Sequence, residues 1–225
     1  MIGRPIRTAY PLASLNTGKV RADAYKGKET TSGIVKGPAE SPLRLSETGL
    51  FGDEQADLVN HGGPDKAVCV YSLDHYPHWE NVLGRGLAPG SFGENFSVRG
   101  MPETDVLIGD VFEVGTATVQ VSQPRQPCWK LAMRWGLDEL PLLVTESGAT
   151  GFYFRVLNPG EVKAGDELCL VSRHPAGISV AEANRVMHRD REDEAGIRRL
   201  LGLEELSASW VRTLSKRLER LNGKE

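Results

Sequence analysis

Apolar and polar residues alternate in two distinct textures along the chain. Before about residue 178 the apolar runs are short and are cut by glycine and proline. Residues 111–115 and 117–121 read as two strands around a tight turn. Val119 and Val121 point to one face there and Thr118 and Gln120 to the other, which is the period of two expected of a half-buried strand. Residues 153–157 and 168–171, on either side of Asn158-Pro159-Gly160, repeat the theme. Gly109-Asp110 and Gly165-Asp166 each stand directly before a strand. Many short strands joined by such turns predict a mainly β fold for residues 1–175, a mostly antiparallel barrel or sandwich.

The later texture is helical. Ser179 and Glu182 form a capping box that opens a short helix, Asp190 is the expected cap of a second helix ending near Leu201-Gly202, and Ser207 that of a third. In the third, Trp210, Val211, Leu214, Leu218 and Leu221 share one face. Arg212, Lys216, Arg217, Glu219 and Arg220 lie off it and read most simply as a solvated surface. Residues 176–225 are therefore expected to form a small, separate three-helix domain.

Composition narrows the function. The 225 residues suffice for a sizeable core, and 27 Lys and Arg against 30 Asp and Glu leave a net charge of −3. That balance argues against a nucleic-acid partner or an anionic membrane surface. The helical segment 176–225 holds ten basic and nine acidic residues, too even for a DNA-binding helix pair. No apolar run approaches the roughly 20 residues of a membrane span, and the N-terminal MIGRPIRTAYPL lacks the apolar core of a signal peptide, so a cytoplasmic location is expected. The three cysteines, Cys69, Cys128 and Cys169, contain no CxxC pair, and the common phosphate-loop, zinc-helix and dinucleotide motifs are absent.

Chemistry concentrates in three segments. Cys128 follows a strand in Ser122-Gln-Pro-Arg-Gln-Pro-Cys-Trp-Lys130, where Pro124 and Pro127 end the strand and stiffen the loop. Arg125 and Lys130 flank the sulfur, and cations beside a cysteine favour the thiolate, which is a nucleophile, a redox centre or a soft-metal ligand. Cys69 and Cys169 sit in apolar strands and read as core residues. In the second segment, Asn60-His-Gly-Gly-Pro-Asp-Lys66, Gly62 and Gly63 permit close backbone approach while His61 and Lys66 bring donors, a combination suited to an oxyanion or phosphate. The third, Gly90-Ser-Phe-Gly-Glu-Asn-Phe96, offers Glu94 and Asn95 on a loop anchored by Phe92 and Phe96. His75, Tyr76, His78 and Trp79 read as a helix packed on the barrel.

Taken in order, HGGPDKAV, GSFGENF, IGDVFEVG and VSQPRQPCWKL resemble the MOSC domain, and the whole chain is similar to its bacterial YiiM type, including the three-helix unit after the barrel. The resemblance implies a β-barrel that holds a molybdenum cofactor in its molybdopterin form, with Cys128 as a thiolate ligand of molybdenum. It implies cofactor-binding roles for His61, Gly62, Gly63, Lys66, Glu94, Asn95, Arg125 and Lys130, and catalysis by Cys128 with His61 as cofactor ligand or proton relay. It also implies reduction of small N-hydroxylated compounds such as N-hydroxylaminopurines, amidoximes or hydroxylamines, with electrons from a separate reductase. Two other readings stay open at this stage: a non-catalytic carrier of molybdenum cofactor or sulfur, and a metal-free cysteine hydrolase using Cys128 and His61. The sequence leaves the oligomeric state open.

Overall fold

Short strands that bury one face need a closed partner surface, and here they find it in one another. The structure is a computed structural model that describes residues 8–40 and 42–223; residues 1–7 of the N-terminal stretch read for a signal peptide lie outside the described residues. In chain order the strands are β1 (Ala9–Thr17), the hairpin β2 (Arg21–Tyr25) and β3 (Lys28–Ser32), β4 (Gly37–Pro38), β5 (Leu43–Ser46), β6 (Gly49–Leu50), β7 (Val68–Ser72), β8 (Phe96–Val98), β9 (Val111–Val114), β10 (Ala117–Pro124), β11 (Phe152–Asn158), β12 (Gly160–Val162) and β13 (Glu167–Ser172). The helices are α1 (Leu58–His61), α2 (Tyr76–Leu83), α3 (Trp129–Trp135), α4 (Leu140–Ser147), α5 (Val180–Asn184), α6 (Glu194–Leu201) and α7 (Ala208–Asn222).

Seven strands follow the order β13-β9-β10-β11-β7-β8-β1, and β1 returns to β13 to close the barrel. Closure works because β1 is long and shifts register between Leu12 and Ser14: Ala9 faces Cys169 of β13, whereas Leu15 faces Phe96 of β8. All these pairings are antiparallel except β7 with β8. The alternation read in β10 is realised: Val119 and Val121 are buried, and Thr118 and Gln120 are partly exposed. Cys169 is only half-buried rather than a core residue, because Leu168 takes the interior side of β13 and the next side chain turns away.

Outside the barrel, α2, α3 and α4 enclose a second apolar cluster around Tyr71, Trp79, Phe92, Leu131 and Leu140. Tyr71 and Phe92 stack with ring centroids 4.5 Å apart, and the Trp79 indole donates to the Tyr71 hydroxyl at 2.7 Å. This cluster positions the Gly90–Phe96 loop against the barrel.

At the C-terminal end the Ser179 hydroxyl accepts from the Glu182 amide at 3.0 Å, and Ser207 caps α7 as expected. The second helix starts later than expected. α5 continues as a π-helical turn over Arg185–Arg189 that Asp190 closes, and Asp193 caps α6 by accepting from Gly196 N at 2.9 Å. The helices are also not separately cored: Val180, Met187, Ile197, Trp210 and Leu214 belong to the same continuous apolar cluster as Leu12, Val119 and Phe154 of the barrel. Among the described residues no helix is long and apolar enough to cross a membrane.

A shared core has a thermodynamic consequence. Leu214, fully buried on α7, should cost about 2–5 kcal/mol when truncated to alanine. In urea titrations followed by far-ultraviolet circular dichroism and tryptophan fluorescence, both signals should move to lower denaturant together. A helical transition that separates from an unshifted barrel transition would show two independent cores.

Candidate functional site

β10 delivers the chemistry. Its ladder ends at Pro124, and the chain turns out of the barrel to place Cys128 at the start of α3, in extended backbone with φ −119° and ψ 168°. The thiol is half-buried and lines a cavity with His61, Lys66, Arg125 and Lys130, so the first two sequence motifs meet at one mouth.

Arg125 is the most informative of these groups. It is 4% exposed, its backbone N–H donates to Gly151 O at 3.0 Å, and its Nη2 donates to Phe92 O at 2.6 Å. Its Nη1 is buried without a hydrogen-bond partner, and among the described residues no carboxylate pairs with it. Burial works against the charge; the Cys69, Tyr153 and Cys128 side chains favour it only when they are ionised, and burial pushes the first two up. A buried guanidinium with an unused donor is costly unless an anion completes it. Lys130 adds to the demand. It is 8% exposed and carries its ammonium 5.9 Å from the Trp129 ring centroid.

His61 feels both cations. Burial first, then Lys130, hold its imidazole down to about 4, so it is neutral at physiological pH and offers one N–H and one lone pair. Among the described residues no carboxylate pairs with it; the Asp57 oxygens accept from the Asn60 amide at 3.0 Å and the Asn60 side chain at 2.9 Å. That leaves a cysteine–histidine hydrolase without its orienting acid. Lys66 donates to Asn60 O at 2.6 Å, and burial lowers its ammonium from the ordinary lysine value.

Gly62 and Gly63 do not line this cavity. The Gly62 N–H closes α1 by donating to Leu58 O at 3.2 Å. Gly63, at φ +91°, turns the chain into the Pro64–Lys66 helical turn. The two glycines shape the turn between His61 and Lys66, and the Gly62 N–H is already committed to the helix. Glu94 likewise does not reach the cavity. Fully buried, it accepts from Tyr76 Oη at 2.5 Å, Gly90 N at 2.7 Å, Phe92 N at 2.9 Å and Ser97 Oγ at 2.7 Å. It is the internal brace of its loop. Asn95 lines the cavity, but its amide is spent on Cys69 N at 3.1 Å and on Asp53 at 2.9 Å.

Several lining residues were not singled out from the sequence as site residues, and four of them carry polar or sulfur chemistry near the thiol or in its wall: Cys69, Tyr153, Lys36 and Gln126. Cys69 and Tyr153 are register partners on β7 and β11; Cys69 is buried, as expected of it, and both also line the cavity. Burial pushes the Cys69 thiol up. Lys36 reaches the wall from the segment after β3 but is committed to a buried ion pair with Asp53. Gln126 lies within the cysteine motif itself and was the one legible from it.

The third helix is also part of the site. A second, outer chamber begins at Cys128, His61 and Lys66 and is walled on its far side by Ser209, Arg212 and Lys216 of α7. One carboxylate fixes that wall. Asp65 accepts from Arg155 at 2.7 Å and from Ala208 N at 3.0 Å, while Ser122 Oγ donates to Asp65 O at 2.5 Å.

Comparison with known proteins agrees with this geometry. The MOSC domain matches residues 57–169, and the YiiM-like 3-alpha helix domain matches residues 178–221. Protein YiiM of Escherichia coli strain K12 is 41% identical over 96% of this chain and 94% of its own length. A protein of Gibberella moniliformis named reductase is 36% identical over 78% of this chain, which spans 32% of that relative. The crystal structure of YiiM from Geobacillus stearothermophilus superposes with a TM-score of 0.80 at 38% identity, covering 93% of this chain and 99% of that one.

The cationic setting of His61 is directly measurable. Its folded value lies below the ordinary 6.5, so the unfolded chain binds the extra proton between about 4 and 6.5. The contribution of this residue to stability is complete above 6.5 and is lost as pH falls toward 4. NMR titration of the His61 ring should give a midpoint near 4, rising when phosphate is added because a bound anion offsets Lys130 and Arg125. A midpoint near 6.5 that phosphate does not move would show that the cations do not act on it.

Proposed function

We propose that this chain, which belongs to the MOSC domain family and carries its YiiM-like three-helix unit, binds a molybdenum cofactor through Cys128 and reduces small N-hydroxylated compounds. The observation that carries the reading is the buried Arg125 guanidinium, with Nη1 unpartnered, beside a half-buried thiol in the same cavity. A phosphorylated, dithiolene-bearing cofactor is an anion that fits such donors, and thiolate is an apt ligand for its metal.

Cys128 supplies one sulfur, so a metal held there has to bring its other ligands with it. Arg125, held by Phe92 O and Gly151 O, would offer its unpartnered Nη1 to an anionic group of the cofactor, and Lys130 would add a second buried charge. Such preset donors cost no reorganisation when charge develops. The bound cofactor supplies two-electron oxygen-atom exchange, by which an N–OH compound, two electrons and two protons yield an amine and water. His61 would bind through its neutral ring; burial and then Lys130 keep its imidazole a weak base, and a bound anion would raise its basicity by offsetting the cations. The relative named reductase is consistent with oxidoreductase chemistry. Electrons would come from a separate reductase.

Protein purified from molybdenum-replete cells should contain molybdenum and reduce N-hydroxylaminopurine with a chemical electron donor. In Cys128→Ser protein the hard hydroxyl should fail as a ligand, and turnover should fall by more than about 100-fold, beyond the loss expected from an outer-shell partner. The circular dichroism spectrum should not change. Metal without turnover in the native protein would identify a carrier, and full turnover in Cys128→Ser would refute the proposed ligation.

A further inference from the structure

The α7 wall has a use that the barrel chemistry does not require. Arg212 and Lys216 stand one helical turn apart on the face that looks into the outer chamber, and both are exposed. Among the described residues neither has an ion pair or a hydrogen bond. Lys66 joins them across the chamber. Burial is the main cause of its lowered ammonium; Asp65 works against that shift, and the Arg212 charge adds to it. The one carboxylate lining this chamber is Asp57, and its oxygens are already committed to Asn60. The nearby carboxylates, Asp65 and Asp57, are both committed to other donors, so the Arg212 and Lys216 side chains are left without a partner, and a multiply charged anion relieves the repulsion among the cations of this concave wall.

The position of the wall selects the ligand. Arg212 and Lys216 line the outer chamber and not the inner cavity, where Arg125 and Lys130 meet the demand of a bound cofactor. The two spaces share Cys128, His61 and Lys66, so a molecule reacting near the thiol and extending outward passes along α7. We propose that Lys66, Arg212 and Lys216 form an anion subsite that takes the phosphate of a phosphorylated substrate, so that the enzyme favours N-hydroxylated purine nucleotides over the free base or nucleoside. This rests on the reductase reading for the identity of the reacting group. The phosphate preference itself rests on the α7 wall.

Calorimetric titration of the cofactor-loaded protein with adenosine 5′-monophosphate and with adenosine separates the two claims, because neither probe needs to turn over. The monophosphate should bind at least about tenfold more tightly, as one or two charge-assisted hydrogen bonds provide. Arg212→Glu combined with Lys216→Glu should abolish that difference while leaving adenosine binding and molybdenum content as they were. Arg212→Gln with Lys216→Gln should show a smaller loss and guards against misfolding of the charge-reversed protein. Equal binding of both probes, or a phosphate preference that survives both double variants, would overturn the subsite. Loss of molybdenum from the folded variants would overturn it too, by assigning the cations to the cofactor's own phosphate. A protein that prefers the monophosphate but reduces no N-hydroxylated compound would keep the subsite and refute the reductase reading.

Discussion

One carboxylate, Asp65, holds the two walls of the cavity in register. It is pinned by Arg155 of β11, and its second oxygen caps the first turn of α7 through Ala208 N. Ser207 N donates to Ser122 O at 3.0 Å beside it. The loop that carries His61 and Lys66, the strand that leads to Cys128 and the helix that carries Arg212 therefore meet at a single junction. Two guanidinium nitrogens of Arg155 donate to one Asp65 oxygen and the Ala208 amide to the other, and a half-buried carboxylate held from both sides is fixed in orientation as a surface ion pair is not. The apolar cluster beneath it, continuous from Leu12 to Leu214, makes the helices an extension of the barrel.

The strands and turns of the barrel were legible because their signals are local. The alternation in β10 and the glycine-aspartate turns before β9 and β13 need only a few residues to specify them. The first cap of the helical unit was legible for the same reason, whereas Asp190 and Asp193 are both good caps and only the π turn over Arg185–Arg189 decides between them. The meeting of Cys128 with His61 was legible through the motifs. The contributions of Cys69 and Tyr153 were not, since they depend on which residues of β7 and β11 lie opposite each other. Glu94 shows the reverse case. A carboxylate in a glycine-rich loop has the look of a ligand-binding group, but its four donors come from its own neighbourhood. The charged face of α7 is solvated, as its sequence suggests, but nothing in a helix's own sequence says which cavity it overlooks.

The site is electrostatically incomplete by construction. Asp53 satisfies Lys36 and local donors satisfy Glu94, so the surroundings of the cavity obey the usual rule that buried polar groups are paired. Arg125 Nη1 departs from that rule in a residue that lines the same cavity as Cys69 and Cys128. An unpaired buried donor costs stability, and any anion that binds only the folded protein and completes it would offset that cost.

The central claim is that the Cys128 sulfur is a ligand of molybdenum. X-ray absorption at the molybdenum edge, recorded on the purified holoprotein and on Cys128→Ser protein loaded with the same cofactor, reads that bond directly. The account predicts one more sulfur in the metal's first coordination sphere in the native protein than in the variant. An identical sulfur shell in the two proteins, or a native protein that takes up no molybdenum at all, would contradict it.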